Sequence, residues 1–387
     1  LSNPAIVAVA YNRPASLRRL LGSLQAAEYP CSVELVISID GEGGDEVVRV
    51  AEDFKWHAGK KEILQRPHRM GLREHILACG DLSERYGTVI VLEDDLYVSP
   101  VFYHFALQAS SFYASRPEIA GIALYAHRVI RSNHVLFEPM VDQTDVIFLQ
   151  YACSWGQLWT FQQWSAFRKW YCENADRDDT DCVMPDYIPS WPETSWLKYY
   201  MKYLVSTDRY FVYPRDALTT CFQEAGQHYT RATNNCQVAL QRFKRDFRLQ
   251  HFDQSCCVYD ARQTILPDRV SRLVPELAQY DYAIDFYGIK SLSGISSPYM
   301  LTCRRSNRAI LEFACNMRPV EMNVIENVQG KGIVLTRTTD IEPVFRAGPE
   351  LARTYPELGL RNLLPMLGLA AQAKIRDRLQ WLRCSRR

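Results

Sequence analysis

The chain has 387 residues, 47% of them hydrophobic and 23% charged, with a formal net charge of +1. That composition belongs to a globular protein with room for one large domain or two. A balance this near neutrality gives no bulk electrostatic reason for a nucleic-acid partner, and no apolar run reaches the roughly 18 residues that a membrane span needs.

Twelve cysteines are scattered along the chain, and none forms a C-x-x-C pair. A zinc site is therefore not expected, and the spacing suits reduced thiols in a cytoplasmic protein. From the N-terminus, Ala5-Ile6-Val7-Ala8-Val9-Ala10 reads as a buried strand. It stops at Tyr11-Asn12-Arg13-Pro14, where the proline is set to open a helix. Leu17, Leu20, Leu21 and Leu24 then fall on one helical face. A second strand, Val33 to Asp40, ends in an acid before Gly41-Glu42-Gly43-Gly44. A helix follows over 45–54, then a short strand at Glu62-Ile63-Leu64 and a basic loop, Gln65-Arg66-Pro67-His68-Arg69-Met70-Gly71. A helix over 72–82 leads into Val89-Ile90-Val91-Leu92, which runs straight into Glu93, Asp94 and Asp95.

Strand–helix alternation sustained over about 95 residues predicts right-handed crossovers and a mostly parallel sheet with helices on both faces. In such sheets ligands sit outside the carboxyl ends of the strands. Asn12, Arg13, Asp40, Glu93, Asp94 and Asp95 are thus expected to converge on one cleft. Carboxylates clustered after a buried strand suit a hard divalent cation, Mg²⁺ or Mn²⁺. Taken alone, an E-D-D triplet is more often a solvated loop or a helix cap. No G-x-G-x-x-G follows the first strand, and no G-x-x-x-x-G-K-[ST] occurs. Both absences disfavour dinucleotide redox chemistry and P-loop phosphoryl transfer.

Further on, a helix is expected over 100–113 and strands over 119–124 and 145–149. Trp155-Gly156 can offer a wall and a tight turn beside a ligand. Trp164, Phe167 and Trp170 have the spacing of a core helix face. Residues 176–181 read as a solvated acidic loop. Trp191-Pro192-Glu193-Thr194-Ser195-Trp196 places one carboxylate between two tryptophans, where Thr194 or Ser195 could equally cap a helix. A strand at 210–214 leads to the polar loop Glu224-Ala225-Gly226-Gln227-His228-Tyr229. Beyond residue 259, strands over 280–287, 299–302 and 332–336 with a helix over 306–315 suggest an appended α/β subdomain. The tail is Leu-rich and then basic, with Lys374, Arg376, Arg378, Arg383, Arg386 and Arg387. Such a helix can lie on the anionic inner face of a membrane or pack with one side solvated.

Four of these stretches, in this order, resemble glycosyltransferases of the GT-A fold, and N-acetylglucosaminyltransferase I and bacterial family 2-like enzymes in particular. They are Ala10-Tyr11-Asn12-Arg13, Ile37-Ser38-Ile39-Asp40, His68-Arg69 and Glu93-Asp94-Asp95-Leu96. The likeness covers residues 4–125 well, 150–230 more weakly, and none of the C-terminal third. It implies that Tyr11, Arg13, Asp40, His68 and Arg69 surround the donor's uracil. It implies that Asp94 and Glu93 reach the ribose or the metal's waters, and that Asp95 holds Mn²⁺ or Mg²⁺. Gly226, Gln227 and His228 resemble a loop that closes on the donor phosphates. Trp191-Pro192-Glu193 stands where the family has Trp followed by a catalytic Asp, so Glu193 becomes the candidate base. Partial burial between Trp191 and Trp196 would raise its pKa, and the two rings would stack on an acceptor sugar.

The resulting expectation is an α/β, Rossmann-like GT-A domain over 1–258, with a nucleotide-sugar half over 1–125 and an acceptor half over 126–258. A C-terminal α/β subdomain over 259–362 and a basic amphipathic tail over 363–387 follow. The expected activity is metal-dependent, inverting transfer from a UDP-sugar to a glycan or lipid-linked acceptor in surface polysaccharide synthesis. Two alternatives compete. A sugar nucleotidyltransferase would want a glycine-rich loop where Tyr11-Asn12-Arg13-Pro14 stands. A non-catalytic carbohydrate-binding relative would account for the proline that follows Trp191.

Overall fold

The structure is a computed structural model that describes residues 3–175, 184–222, 224, 234–344 and 349–355. The element order is β1 (Ala5–Ala10), α1 (Pro14–Gln25), β2 (Leu35–Ile39), α2 (Asp45–Asp53), β3 (Lys61–Gln65), α3 (Leu72–Asp81), α4 (Ser83–Tyr86), β4 (Thr88–Glu93) and β5 (Leu96–Val98). Next come α5 (Phe102–Tyr113), β6 (Ile119–Ala123), β7 (Val146–Leu149), β8 (Gln157–Thr160), α6 (Phe161–Asn174), α7 (Trp196–Ser206), β9 (Tyr210–Pro214), β10 (Thr219–Cys221) and β11 (Val258–Tyr259). The chain continues with α8 (Pro267–Leu273), β12 (Tyr282–Asp285), β13 (Tyr299–Thr302), β14 (Ala309–Ala314), α9 (Met322–Ile325), β15 (Gly332–Arg337) and α10 (Pro349–Thr354). Contacts divide it into two compact units. One joins Leu1–Arg128 to Val141–Gln263, and the other joins Val129–Met140 to Thr264–Arg387.

The first unit is mixed α/β, built on a nine-stranded sheet in the order β11-β7-β9-β6-β8-β4-β1-β2-β3, flanked by helices. The run β4-β1-β2-β3 is parallel throughout. All six residues of β1 are buried, as are the first five of β4. Continuous apolar runs of this kind belong to strands covered on both faces. The leucine stripe of α1 is buried as its spacing predicts: Leu17, Leu20, Leu21 and Leu24 all face the core.

β8 reverses direction between β4 and β6. Its four residues run straight into α6, whose first turn is closed by a capping box between Thr160 and Gln163. That continuity hid the strand in the sequence. Trp164 and Phe167 are buried, in keeping with a core helix face.

The second unit carries a four-stranded sheet, β12-β13-β15-β14. The helix expected over 306–315 is instead edge strand β14, paired antiparallel with β15 through Phe313 opposite Ile333. Ladder pairing overrides a helix-compatible local sequence here. Asp285, the last residue of β12, and Arg304 form a buried ion pair at 3.0 Å. The Asp285 carboxylate also accepts the Ile289 N–H at 3.0 Å and the Lys290 N–H at 3.4 Å, hydrogen bonds of the kind that offset the cost of burying an ion pair. Among the described residues no helix is long and apolar enough to cross a membrane, and ten cysteines are free thiols. The basic tail over 363–387 lies outside the described residues.

Candidate active site

Register fixes where the chemistry gathers. Ala10 pairs with Ile39, Ile39 with Gln65, and Val9 with Glu93. The turns after β1, β2, β3 and β4 therefore leave the sheet along one edge. The chain runs outward from β1 to β3 on one side and then returns to place β4 on the other. This reversal at β1 makes the edge a topological switch point, where open α/β sheets bind ligands.

Three of the turns interlock through their backbones. A Cβ on Gly41 would overlap the backbone carbonyl of His68, and one on Gly43 would overlap the carbonyl oxygen of Tyr11. Only glycine permits approaches this close. Asp40 is 4% exposed. Its Oδ1 accepts the N–H of Gly41 at 2.9 Å and that of Met70 at 2.7 Å, and its Oδ2 accepts that of Gly71 at 3.0 Å. Gly71 is the N-cap residue of α3, so the carboxylate also faces the positive end of that helix. The Arg69 guanidinium lies over the Tyr11 ring at 5.0 Å. His68 and Arg69 are exposed and Tyr11 is half-buried. Gly41→Ala is expected to destabilise the protein by about 1–3 kcal/mol, because the clash is with backbone rather than a movable side chain. A melting curve checks this, and an unchanged midpoint would contradict the interlock.

At the end of β4, Arg13 gathers the acids. Its Nη2 and Nε donate to Asp94, the second at 3.3 Å, and its Nη1 donates to Asp95 Oδ2 at 3.2 Å. Asp94 is 3% exposed, and Asp95 is half-buried. Burial and the charge of Asp95 push the Glu93 carboxyl up to about 8, against the pull of Arg13. Asp94 rises to about 7: burial lifts it, Arg13 draws it back, and Asp95 lifts it again. Arg13 stays protonated, since both aspartates oppose its burial penalty.

The donor set suits a hard cation. Mg²⁺ and Mn²⁺ take carboxylate oxygens and are commonly held by one or two carboxylates plus substrate phosphates. Asp94 is engaged on both oxygens by Arg13, whereas Asp95 is engaged on one. Glu93 is not bonded by Arg13, but its carboxyl is held protonated up to about 8, so Asp95 is the aspartate with an oxygen to offer in its ionised form. Among the described residues no cluster of three or more His, Cys, Asp or Glu side chains is arranged as a ready metal cage.

Glu193 corrects the sequence reading. It is exposed rather than partly buried. Its carboxylate accepts from Lys198 Nζ at 2.5 Å and from the Tyr199 hydroxyl at 2.5 Å. These two donors hold its pKa below the usual carboxylate value, the opposite of the expected rise. Its backbone carbonyl accepts from Arg73 Nη1 at 2.8 Å. Arg73 stands in the first turn of α3, so Glu193 sits beside the loop that carries His68 and Arg69. Trp196 is a second correction. It is 2% exposed and packs edge-on against Trp159, 5.7 Å between ring centres. It is a core aromatic with no face to give to a sugar. Trp191 is half-buried, 5.8 Å from the Tyr187 ring.

Gly226, Gln227 and His228 lie outside the described residues. The chain just before them does reach the site. β10 pairs antiparallel with β5, and the Phe222 N–H donates to the Asp95 carbonyl at 3.0 Å. Glu224, which sequence reasoning passed over as part of a polar loop, pairs with Arg19 at 2.5 Å and accepts from the Ser16 hydroxyl in the first turn of α1. Its signal was present only as a lone acid ahead of a glycine. Trp155 is half-buried, with its ring 4.7 Å from that of Tyr125. The β4–β8 register, Val91 opposite Gln157, brings the turn before β8 to the same edge as Glu93.

No protein-family model and no curated protein matches this sequence. Among solved structures, S. aureus TarS 1-349 in complex with UDP-GlcNAc is similar at 15% identity and a TM-score of 0.38, over 58% of this chain and 60% of that one. The mannosyltransferase PcManGT from Pyrobaculum calidifontis, in complex with GDP-Man and Mn²⁺, is similar at 12% identity and a TM-score of 0.30, over 43% of this chain and 46% of that one. Mouse xyloside xylosyltransferase 1 in its apo form is similar at 11% identity and a TM-score of 0.34, over 54% of this chain and 83% of that one.

Proposed function

We propose that this protein is a glycosyltransferase that takes its sugar from a nucleoside diphosphate donor, a UDP-sugar, and transfers it with inversion to a glycan or lipid-linked acceptor. One observation carries the reading: the turns after β1, β2, β3 and β4 bring Tyr11, Arg13, Asp40, His68, Arg69 and the Glu93-Asp94-Asp95 triplet to a single sheet edge at the switch point. Flat and polar groups from the first three turns suit a nucleoside. The acids after β4 suit the metal–diphosphate end of the same ligand.

In this reading the acceptor hydroxyl attacks C1 of the donor sugar, the new glycosidic bond forms, and the C1–oxygen bond to the diphosphate breaks with its electron pair leaving on phosphate. Mn²⁺ or Mg²⁺ would be held by Asp95 and would supply neutralisation of the charge that develops on the leaving group. Glu193 is the carboxylate proposed to take the acceptor's proton. It is ionised at neutral pH, the form a base requires, although Lys198 and Tyr199 lower its basicity. That lowered basicity and the exposure of Glu193 favour one competitor, a carbohydrate-binding relative that performs no transfer.

Thermal melts with UDP, GDP and ADP, with and without Mn²⁺, test the reading. A ligand that binds only the folded state raises the melting temperature. The expected result is stabilisation by UDP that requires the metal, with slow release of UDP from a UDP-sugar. If UDP-sugars stabilise the protein but no UDP is released with any metal, the binding-protein reading replaces the transferase. If no nucleotide moves the melt, the transferase reading falls and the carbohydrate-binding reading takes its place.

A further inference from the structure

We infer that Gln157 reads hydroxyl groups of the donor's sugar and so helps to set which sugar is transferred. The inference rests on the nucleotide-sugar reading of this cleft. Gln157 opens β8 and is 0% exposed, yet neither its Nε2 nor its Oε1 has a hydrogen-bond partner among the described residues. At Gln163 and Gln250 only one end of the amide is left in that state. Burying a polar group without a partner costs stability, and such a group in a folded protein calls for an explanation.

Register supplies one. Gln157 stands opposite Val91 of β4 and Ala123 of β6. Residues opposite one another in a ladder share a face of the sheet, and so do residues two apart along a strand. Glu93, two residues beyond Val91, therefore lies on the same face as Gln157, one pleat nearer the edge. Such a diagonal is about 7–8 Å, within reach of two long side chains. In the other direction along β8, Trp159 is 0% exposed and packs on Trp164, 4.5 Å between ring centres, so that end of the row is closed. Glu93 is half-buried and ends β4 at the cleft. A group that reaches the amide comes from that end, beside the acids proposed to meet the diphosphate.

The amide presents a donor and an acceptor side by side. Neighbouring hydroxyls on a sugar ring match it: one accepts from Nε2 and the next donates to Oε1. A site built on such a group rejects a sugar whose hydroxyls are placed differently, because the buried amide is then left unpaired. The nucleotide, met by the turns and the acids, has no part in this contact.

The test compares wild type with Gln157→Leu, which keeps the bulk and removes the amide. UDP, UDP-glucose, UDP-galactose and UDP-N-acetylglucosamine are the probes, with Mn²⁺ present. Leucine takes away an unpaired buried amide, so the melting temperature without ligand is expected to rise. The UDP-sugar that wild type binds best is expected to weaken by about tenfold, UDP itself by less than about twofold, and the spread among the sugars to narrow. A purely structural glutamine does the reverse: its loss lowers the melt and moves UDP and the UDP-sugars together. That result overturns the inference, and so does an unchanged ranking of the sugars. Gln157→Met, unbranched like glutamine, takes over if the leucine variant fails to fold. Failure of both makes the amide structural and overturns the inference as well. If UDP and all three UDP-sugars leave the wild-type melt unmoved, the transferase reading fails and the sugar contact falls with it. If they bind and the variant ranks them as wild type does, the result counts against Gln157 alone.

Discussion

Asp95→Ala is expected to cut turnover from a UDP-sugar by about a thousandfold or more while leaving the melting temperature unchanged or slightly raised. The magnitude follows from the stabilisation of several kcal/mol that a metal gives to charge developing on a phosphoryl oxygen. Asp95 is the aspartate of the triplet with an oxygen left outside the Arg13 network, and Glu93, also outside it, is held protonated up to about 8, so the loss of Asp95 takes away the proposed anchor of the metal. The fold should not suffer. Asp95 raises the pKa of both Glu93 and Asp94 by its like charge, and removing it relieves that repulsion. Glu93 then titrates nearer its ordinary range. Donor hydrolysis and a melting curve on the same preparation separate the two effects. Turnover within a few-fold of wild type would place the metal elsewhere, and a collapsed melt would make the acid structural.

The N-terminal half was legible because β1, β2 and β4 are buried on both faces, and continuous apolar runs separated by amphipathic helices admit few arrangements. The residues at the strand ends then had to share one edge. What was not legible depends on contacts between segments distant in sequence. Glu193 is the exception: Lys198 and Tyr199 are only five and six residues away, but that they bond it depends on α7 beginning at Trp196, and the sign of its pKa shift was read the wrong way. Trp196 looked like a sugar platform beside Glu193, yet it begins α7 and points into the core against Trp159. β14 carries apolar residues that suit either a helix or a strand, and its pairing with β15 decides. The three backbone bonds of Asp40 were likewise invisible, because they depend on how the β3–α3 loop folds back over β2.

Arg13→Met is expected to destabilise the protein by about 1–3 kcal/mol at neutral pH, the cost of leaving the carboxyls without their donor, since Asp94 escapes the larger cost of an unpaired buried charge by taking up a proton. Asp94 is nearly inaccessible and stands beside Asp95 and Glu93. Without the guanidinium its charge has no compensation. The sign of the pH dependence follows. Asp94 already has a folded-state pKa lifted to about 7, above the model-peptide value of about 3.9. A carboxyl raised in this way favours the folded state most below its unfolded pKa, and that benefit is lost as pH rises through the folded value. Losing Arg13 lifts the folded value further. The deficit of Arg13→Met should therefore be largest near pH 8 and shrink toward pH 5. A divalent cation is the other way to supply the missing charge. Mn²⁺ without nucleotide is expected to raise the melting temperature of Arg13→Met more than that of wild type, because in wild type Arg13 already occupies Asp94 and one oxygen of Asp95. Arg13→Lys restores a charge but not the fork that spans both aspartates, and should fall between the two. If Arg13→Met melts as wild type does across this pH range, the guanidinium is not what balances the acids. If Mn²⁺ stabilises both proteins equally, the cation and Arg13 do not share a site.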